Sequence, residues 1–303
     1  MIDLHTHSTF SDGSLTPTQL VEEAHAVGLS AVALTDHDTV DGLPEALAAG
    51  ERLGVTVVPG VEVNLEHERV TMDLLGYFLA GRPSPELEQE LARLRAYRDE
   101  RNARIVARLA ELGYPLGAED LAAAAGDGAV GRPHIGEAMV RRGYATSVAE
   151  AFRLFLRRGG PAWVDRRRLA LGTAVRLLRA SGGLPVLAHP GIIRTDAAGL
   201  ERIVRDAAKA GVAGLECYYP LHDEAMVRRC LALADRHGLV ATGGSDYHGS
   251  VKPHAHLGVG PGGMSFPDEL LEDLRCLGDE VVRTAALPGD GDGHLPPRSP
   301  ALP

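Results

Sequence analysis

Two histidines stand two residues apart where a short apolar strand ends, in Asp3-Leu4-His5-Thr6-His7. Successive side chains of a strand alternate faces, so both imidazoles can reach one cation from the strand's C-terminal end. Acids and imidazoles then recur just beyond further apolar runs: Asp12, Thr35-Asp36-His37-Asp38, Gly60-Val61-Glu62, Met72-Asp73-Leu74, Ala188-His189-Pro190 and Gly244-Ser245-Asp246-Tyr247-His248. Core packing does not require so many titratable groups in one register. Imidazoles and carboxylates suit borderline or hard divalent cations, and the pattern predicts a polynuclear metal site.

The elements that must position these groups read as strands at 2–4, 31–34, 55–58, 61–63, 71–78, 184–188, 214–218 and 240–242, most of them alternating with helical patterns. Thr16, Pro17 and Gln19 form a capping box that opens the first helix, and Gly28 lies past its end. Such alternation predicts a mostly parallel sheet or barrel, with reactive residues at the strands' C-terminal edge. From Ser84 to about Arg168 the alternation gives way to a long Arg- and Glu-rich helix and shorter helical segments, including a second capping pattern at Ser147 and Glu150. The expected organisation is a barrel over 1–83 and 169–287, an all-helical insertion over 84–168, and a disordered Pro/Gly-rich tail over 288–303.

Composition narrows the function classes. No apolar stretch approaches the roughly 20 residues of a membrane span, and Met1-Ile2-Asp3 enters the first strand without a basic leader, so a cytoplasmic location is expected. A net charge of −10 argues against wrapping a long nucleic acid. Cys217, Cys230 and Cys276 are far apart and odd in number, so they read as buried, reduced thiols.

Taken in order, Asp3-Leu4-His5-Thr6-His7-Ser8, Ser11-Asp12-Gly13, Leu34-Thr35-Asp36-His37-Asp38-Thr39, Pro59-Gly60-Val61-Glu62, Leu187-Ala188-His189-Pro190, Gly214-Leu215-Glu216 and Gly243-Gly244-Ser245-Asp246-Tyr247-His248 resemble the polymerase and histidinol phosphatase (PHP) family over nearly the whole chain, and most closely its stand-alone phosphoesterases active on nucleotide-like substrates. The resemblance implies an α/β fold, a distorted (β/α)7 barrel with two or three divalent ions at its C-terminal mouth, manganese first and iron or zinc next. It implies that His5, His7 and Asp246 bind one ion, that Glu62 bridges to a second held by His189, and that Asp12, His37 and His248 hold a third. Where many relatives place a histidine after the bridging Glu, this chain has Asp73, which is expected to bind the second ion in its place. His67, at a hairpin tip, is the weaker substitute.

The same resemblance makes Arg132 and His134, in Gly131-Arg132-Pro133-His134, phosphate-binding residues, with Arg101 similar; His222, which follows a strand at the same mouth, is by its placement a candidate leaving-group acid or phosphate ligand. Arg98, Arg104 and Arg108 read as a solvated helix face of i, i+4 charge pairs. The expected activity is hydrolysis of phosphate esters of small nucleotide- or sugar-like molecules by a metal-bridging hydroxide, with no obligate protein partner. The rivals are cyclic phosphodiester hydrolysis, histidinol-phosphate hydrolysis, trimming of oligonucleotide ends, and, in another class, a non-catalytic metal-binding module.

Overall fold

In the computed structural model of the protein, the structure describes residues 1–79, 81–125 and 130–286. The tail expected to be disordered lies outside the described residues. Among the described residues, eight strands form one sheet: β1 (Ile2–Thr6), β2 (Ala31–Leu34), β3 (Thr56–His67), β4 (Val70–Tyr77), β5 (Leu169–Ala170), β6 (Leu184–Leu187), β7 (Gly214–Tyr218) and β8 (Val240–Gly243). Seven run in the order β1-β2-β3-β4-β6-β7-β8, and the two-residue β5 pairs with β3. Neighbours are parallel except β4, which is antiparallel to both β3 and β6. The two ends of the order meet just past β1 and β8, where Thr6 bridges Tyr247 and His7 N–H donates to Tyr247 O at 2.9 Å.

Two apolar runs read from the sequence as separate strands are one long β3. Pro59-Gly60 does not break it, because β3 changes partner there. Its first half pairs with β2, and the second pairs with β4 from Gly60 onward. Gly60 is needed at the crossing, since a Cβ there would lie 2.8 Å from Thr35 Cγ2. The hairpin turns at Glu68 and Arg69, both with positive φ, which matches the right-handed twist of the paired strands.

Helices α1 (Pro17–Ala26) and α2 (Leu43–Leu53) cover β2 through a core that includes Leu20, Val32, Leu34 and Ala46. Helices α7 (Leu171–Ala180), α8 (Ala197–Ala210) and α9 (Glu224–His237) pack on β3, β4, β6 and β7, while α10 (Glu269–Ala286) closes over Ile2, Leu4 and Val240. The capping box of α1 forms as read: Gln19 N–H donates to Thr16 Oγ1 at 3.2 Å and Thr16 N–H donates to Gln19 Oε1 at 2.9 Å. The Ser147 pattern forms only by half, because Glu150 reaches back to Thr146 N–H instead, at 2.8 Å. Among the thiols, Cys217 and Cys230 are buried but Cys276 is exposed on α10.

Among the described residues between β4 and β5 the elements are all helical: α3 (Pro85–Glu111), α4 (Ala118–Ala125), α5 (Arg132–Arg141), α6 (Val148–Ala151) and a π-helical turn at Phe152–Leu156. They share a core of their own, with Ile105, Leu109, Ile135, Met139 and Leu156 buried together. The N-terminal part of α3 instead buries Leu87, Leu91 and Leu94 against the sheet's own core. One helix thereby joins the two apolar clusters.

Candidate metal centre

Glu62 stands where the strand ends converge. It is 1% exposed, and its Oε2 lies 3.3 Å from His5 Nε2, 3.2 Å from His7 Nε2 and 3.1 Å from His37 Nδ1. Its Oε1 lies 3.0 Å from His189 Nε2. Asp246 Oδ1 completes the first corner at 3.7 Å from His5 Nε2 and 3.4 Å from His7 Nε2. Asp12 Oδ1 lies 3.2 Å from His248 Nε2, and its Oδ2 lies 3.9 Å from His37 Nε2. Among the described residues, three groups able to hold a cation meet at this centre: His5, His7, Glu62 and Asp246; Glu62, Asp73 and His189; and His7, Asp12, His37 and His248. In each, one donor atom per residue falls within 4.8 Å of the others.

The donor atoms fit cations rather than one another. Among the described residues, His5 Nε2, His7 Nε2, His37 Nδ1, Asp12 Oδ1 and Glu62 Oε2 are buried with no hydrogen-bond partner. Each such orphan costs about 1–3 kcal/mol, a cost that a cation at their meeting point removes. Burial pushes Glu62 up, but His37, His5 and the hydrogen bond from His189 outweigh it and hold the carboxyl well below its ordinary range. Burial pushes His7 down, yet the Asp246 and Glu62 carboxylates beside its Nε2 raise it to about 9. His5 and His189 are raised as well, whereas burial pushes His248 down and His37 down to about 4.

The outer atoms of the ligands are anchored. Glu216 on β7 accepts from His5 Nδ1 at 2.9 Å with one oxygen and from His189 N–H at 2.6 Å with the other. The first contact fixes the His5 tautomer and leaves the Nε2 lone pair facing Glu62. The second holds His189 at φ 26°, outside the usual range for a side-chain-bearing residue. Asp246, also at positive φ, is held through Oδ2 by Tyr219 OH at 3.1 Å and Lys252 Nζ at 2.6 Å. Asp36 accepts from Ser8 N–H at 2.8 Å, Ser8 Oγ at 2.6 Å and Ser11 Oγ at 2.5 Å, shaping the loop that carries His7 and Asp12.

Asp73 falls beside Glu62 and His189, with Oδ2 4.0 Å from His189 Nε2. Burial, then repulsion by Glu62, raises it to about 6. Asn64 Nδ2 donates to Asp73 Oδ1 at 2.6 Å, and Arg168 Nε donates in turn to Asn64 Oδ1 at 3.0 Å. His67 is remote from this centre and pairs with Asp206 on α8 at 3.4 Å.

His222 takes a different place from that of a phosphate contact. Its Nδ1 donates to Cys217 O at 2.9 Å and its Nε2 accepts from Gly191 N–H at 3.0 Å, so both nitrogens are spent on backbone. A Cβ on Gly191 would lie 2.5 Å from the ring, which explains the glycine there. The ring braces the His189-Pro190-Gly191 turn. Arg98 is not on a solvated face: it is 8% exposed and pairs with buried Asp38 at 2.5 Å. Arg108 bonds Trp163 O, whereas Arg104 does make the expected exposed i, i+4 pair, with Glu100.

Arg101 is 6% exposed on α3, with Nη2 donating to Asn102 Oδ1 at 2.9 Å and, among the described residues, no partner for the buried Nε. Arg132 opens α5 with its guanidinium 4.8 Å from the Trp163 ring and 5.7 Å from that of Phe152. His134, at the third position of α5, accepts from Gly131 N–H at 3.1 Å. Sequence reasoning gave Glu216 no role although it quoted the motif, and it missed Lys252, Arg166 and Arg168. The partners of Glu216, Arg166 and Arg168 lie far away in sequence, and Lys252, though six residues from Asp246, sits in an irregular loop with no periodicity to pair them.

Fold and site together define a metal-dependent hydrolase acting on phosphoric esters. The PHP domain pattern matches residues 3–130, and the chain belongs to the PHP family of metal-dependent phosphoesterases. It is 36% identical over 249 residues to the 3',5'-nucleoside bisphosphate phosphatase of Chromobacterium violaceum, covering 82% of this chain and 87% of the relative. It is 36% identical to the phosphoribosyl 1,2-cyclic phosphate 1,2-diphosphodiesterase of Eggerthella lenta, covering 84% and 97%. A 5'-3' exoribonuclease of Haemophilus influenzae is 32% identical, with 81% and 89% covered. Among solved structures, a protein of Bifidobacterium adolescentis assigned as a metal-dependent phosphoesterase superposes with a TM-score of 0.79 at 30% identity, covering 91% of this chain and 95% of that one.

Both oxygens of Glu216 accept from N–H donors, so an amide in its place must turn its own NH2 toward one of them. Glu216→Gln is expected to weaken metal binding roughly 10–100-fold, the usual loss when a ligand's outer partner is removed. A manganese titration of the metal-stripped variant and parent chains measures it.

Proposed function

We propose that the chain hydrolyses phosphate esters of small nucleotide- or sugar-like molecules, with the reacting phosphate at the Glu62 cluster and a second anionic group among the arginines of the helical segment, which serves as a substrate cap. The observation that carries this reading is the buried, incompletely paired Arg101. Burial, then the like charges of Arg166, Arg132, Arg98 and Arg168, pushes it down to about 9. Burial and the charges of Arg166 and Arg168 likewise push Arg132 down to about 10. Cations gathered at such cost are relieved by an anion, and a guanidinium fork matches phosphate oxygens.

In this reading His5, His7 and Asp246 hold one cation, Glu62 is shared with a second held by His189 and Asp73, and Asp12, His37 and His248 hold a third. By the family resemblance manganese is the first choice, with iron and zinc next, and a set of imidazoles and carboxylates can take any of the three. Bound divalent cations supply Lewis acidity at the phosphoryl oxygens and lower the pKa of water, so no protein nucleophile is needed. Glu216 and Asp36 keep the ligands in register, His222 braces the turn beside His189, and Arg132, with His134 and Arg101, binds and neutralises phosphate oxygens.

The net charge of −10 and the enclosed arginines favour a small substrate over a long polynucleotide. Activity on nucleoside bisphosphates, as the name of the Chromobacterium relative has it, fits two separated anionic sites. Among the described residues no helix is long and apolar enough to cross a membrane, and a cytoplasmic location accords with a nucleotide substrate.

Asp73 favours a second reading, a preference for phosphodiesters, including cyclic ones. A carboxylate in place of an imidazole lowers the site's net positive charge by one, which disfavours a dianionic monoester relative to a monoanionic diester. Asp73→His is expected to raise the monoester-to-diester ratio of kcat/KM at equal metal content. An unchanged ratio for matched substrates counts against this account.

Arg132→Ala tests the principal reading. Losing a charge-assisted contact worth about 1.5–3 kcal/mol should lower kcat/KM for small phosphate esters about 10–100-fold while metal content stays at the parent level. Because Arg132 stacks on Trp163, the chain's one tryptophan, inorganic phosphate should perturb parent fluorescence and leave the variant's unchanged. Unaltered kinetics would reduce Arg132 to surface charge.

A further inference from the structure

Asp38 takes no part in the groups able to hold a cation, yet it is fully buried and sits at φ 55° next to His37. Three arginines from the helical segment and its exit converge on these two residues. Arg98 Nη2 meets Asp38 Oδ2 at 2.5 Å and lies 3.4 Å from His37 O. Arg166, beyond α6, bonds the same Oδ2. Arg95, one turn before Arg98 on α3, donates to Asp38 O at 2.7 Å. From the other side, Asp38 N–H donates to Glu62 O at 2.9 Å, and Glu62 N–H donates to Asp36 O at 3.1 Å.

The segment 36–38 is thus pinned between β3, which carries Glu62, and the arginines of the helical segment. His37 is the ligand candidate with most to gain from such pinning, since its side chain is 21% exposed whereas those of His5, His7 and His248 are at most 1% exposed. Packing cannot orient it as it orients the others. A single carboxylate oxygen shared by two guanidinium groups also leaves one positive charge over, and the other oxygen, Asp38 Oδ1, has no partner among the described residues. The grip is therefore ionic, and it depends on the carboxylate's charge.

We propose that Asp38 is the positioning residue that couples the helical segment to the third cation: by holding Arg98 and Arg166 it fixes the 36–38 turn and keeps His37 aimed at Asp12 and His248. The inference rests on the reading that His37, Asp12 and His248 hold a cation. It makes that cation the weakest of the three and the one that responds to the arginines.

The test is a manganese titration of the metal-stripped full chain, followed by the paramagnetic resonance signal of free Mn²⁺, on the parent and on Asp38→Asn. The parent should take three ions per chain. Asp38→Asn should bind two with parent affinity and need about tenfold more manganese for the third, an asymmetry that general destabilisation does not produce. Arg166→Met, which leaves the Asp38–Arg98 pair in place, should weaken the third site in the same direction by a smaller factor, and it carries the test if Asp38→Asn does not fold. Third-ion affinity within twofold of the parent in whichever variant folds overturns the coupling. A parent that takes only two ions overturns the three-ion reading and the coupling with it.

Discussion

One buried carboxylate faced by four imidazoles sets the charge balance on which the mouth of the barrel depends. Glu62 is screened from water and is kept ionised only by what surrounds it. Its two oxygens point to different partners, Oε2 to His5, His7 and His37 and Oε1 to His189. An anion so placed offsets the mutual repulsion of neighbouring cations, and the same charge favours the protonated forms of His5, His7 and His189. The anchors follow from this requirement, because Glu216, Tyr219 and Lys252 each hold a ligand by its far atom and leave the near atom for the centre.

The backbone accepts strain to meet the same need. His189, Asp246 and Asp38 all adopt positive φ, where a side-chain-bearing residue costs on the order of 1–3 kcal/mol. Each is gripped by strong contacts: the Glu216 carboxylate for His189, the Lys252 ammonium for Asp246 and the guanidinium groups of Arg98 and Arg166 for Asp38. These residues lie two to four positions past the ends of short strands, β6, β8 and β2, where the chain has left the sheet and an irregular conformation breaks no ladder.

The strand ends and the histidines on them were legible because period-2 alternation and C-terminal placement are local signals. His5 and His7, two apart on one face, are the clearest instance. The continuity of β3 through Pro59-Gly60 was not legible, since whether that dipeptide ends a strand depends on the partner it meets. Arg98 was misread for a similar reason. Its i, i+4 neighbours suggest a solvated helix face, whereas its true partner Asp38 lies 60 residues earlier. His222 carried the types and placement of a phosphate ligand, and only the backbone groups at Cys217 and Gly191 show that its nitrogens are already occupied.

The central claim is that Glu62 is shared between two cations, and the most direct measurement is the anomalous scattering of crystals of the full chain loaded with manganese. The account predicts peaks on both sides of Glu62, each within about 2.0–2.3 Å of a different carboxylate oxygen and about 3.5–4 Å apart, with His5, His7 and Asp246 around one and His189 and Asp73 around the other. A fully loaded crystal with no peak within about 3 Å of Glu62, or with a single peak chelated by both its oxygens, would contradict it.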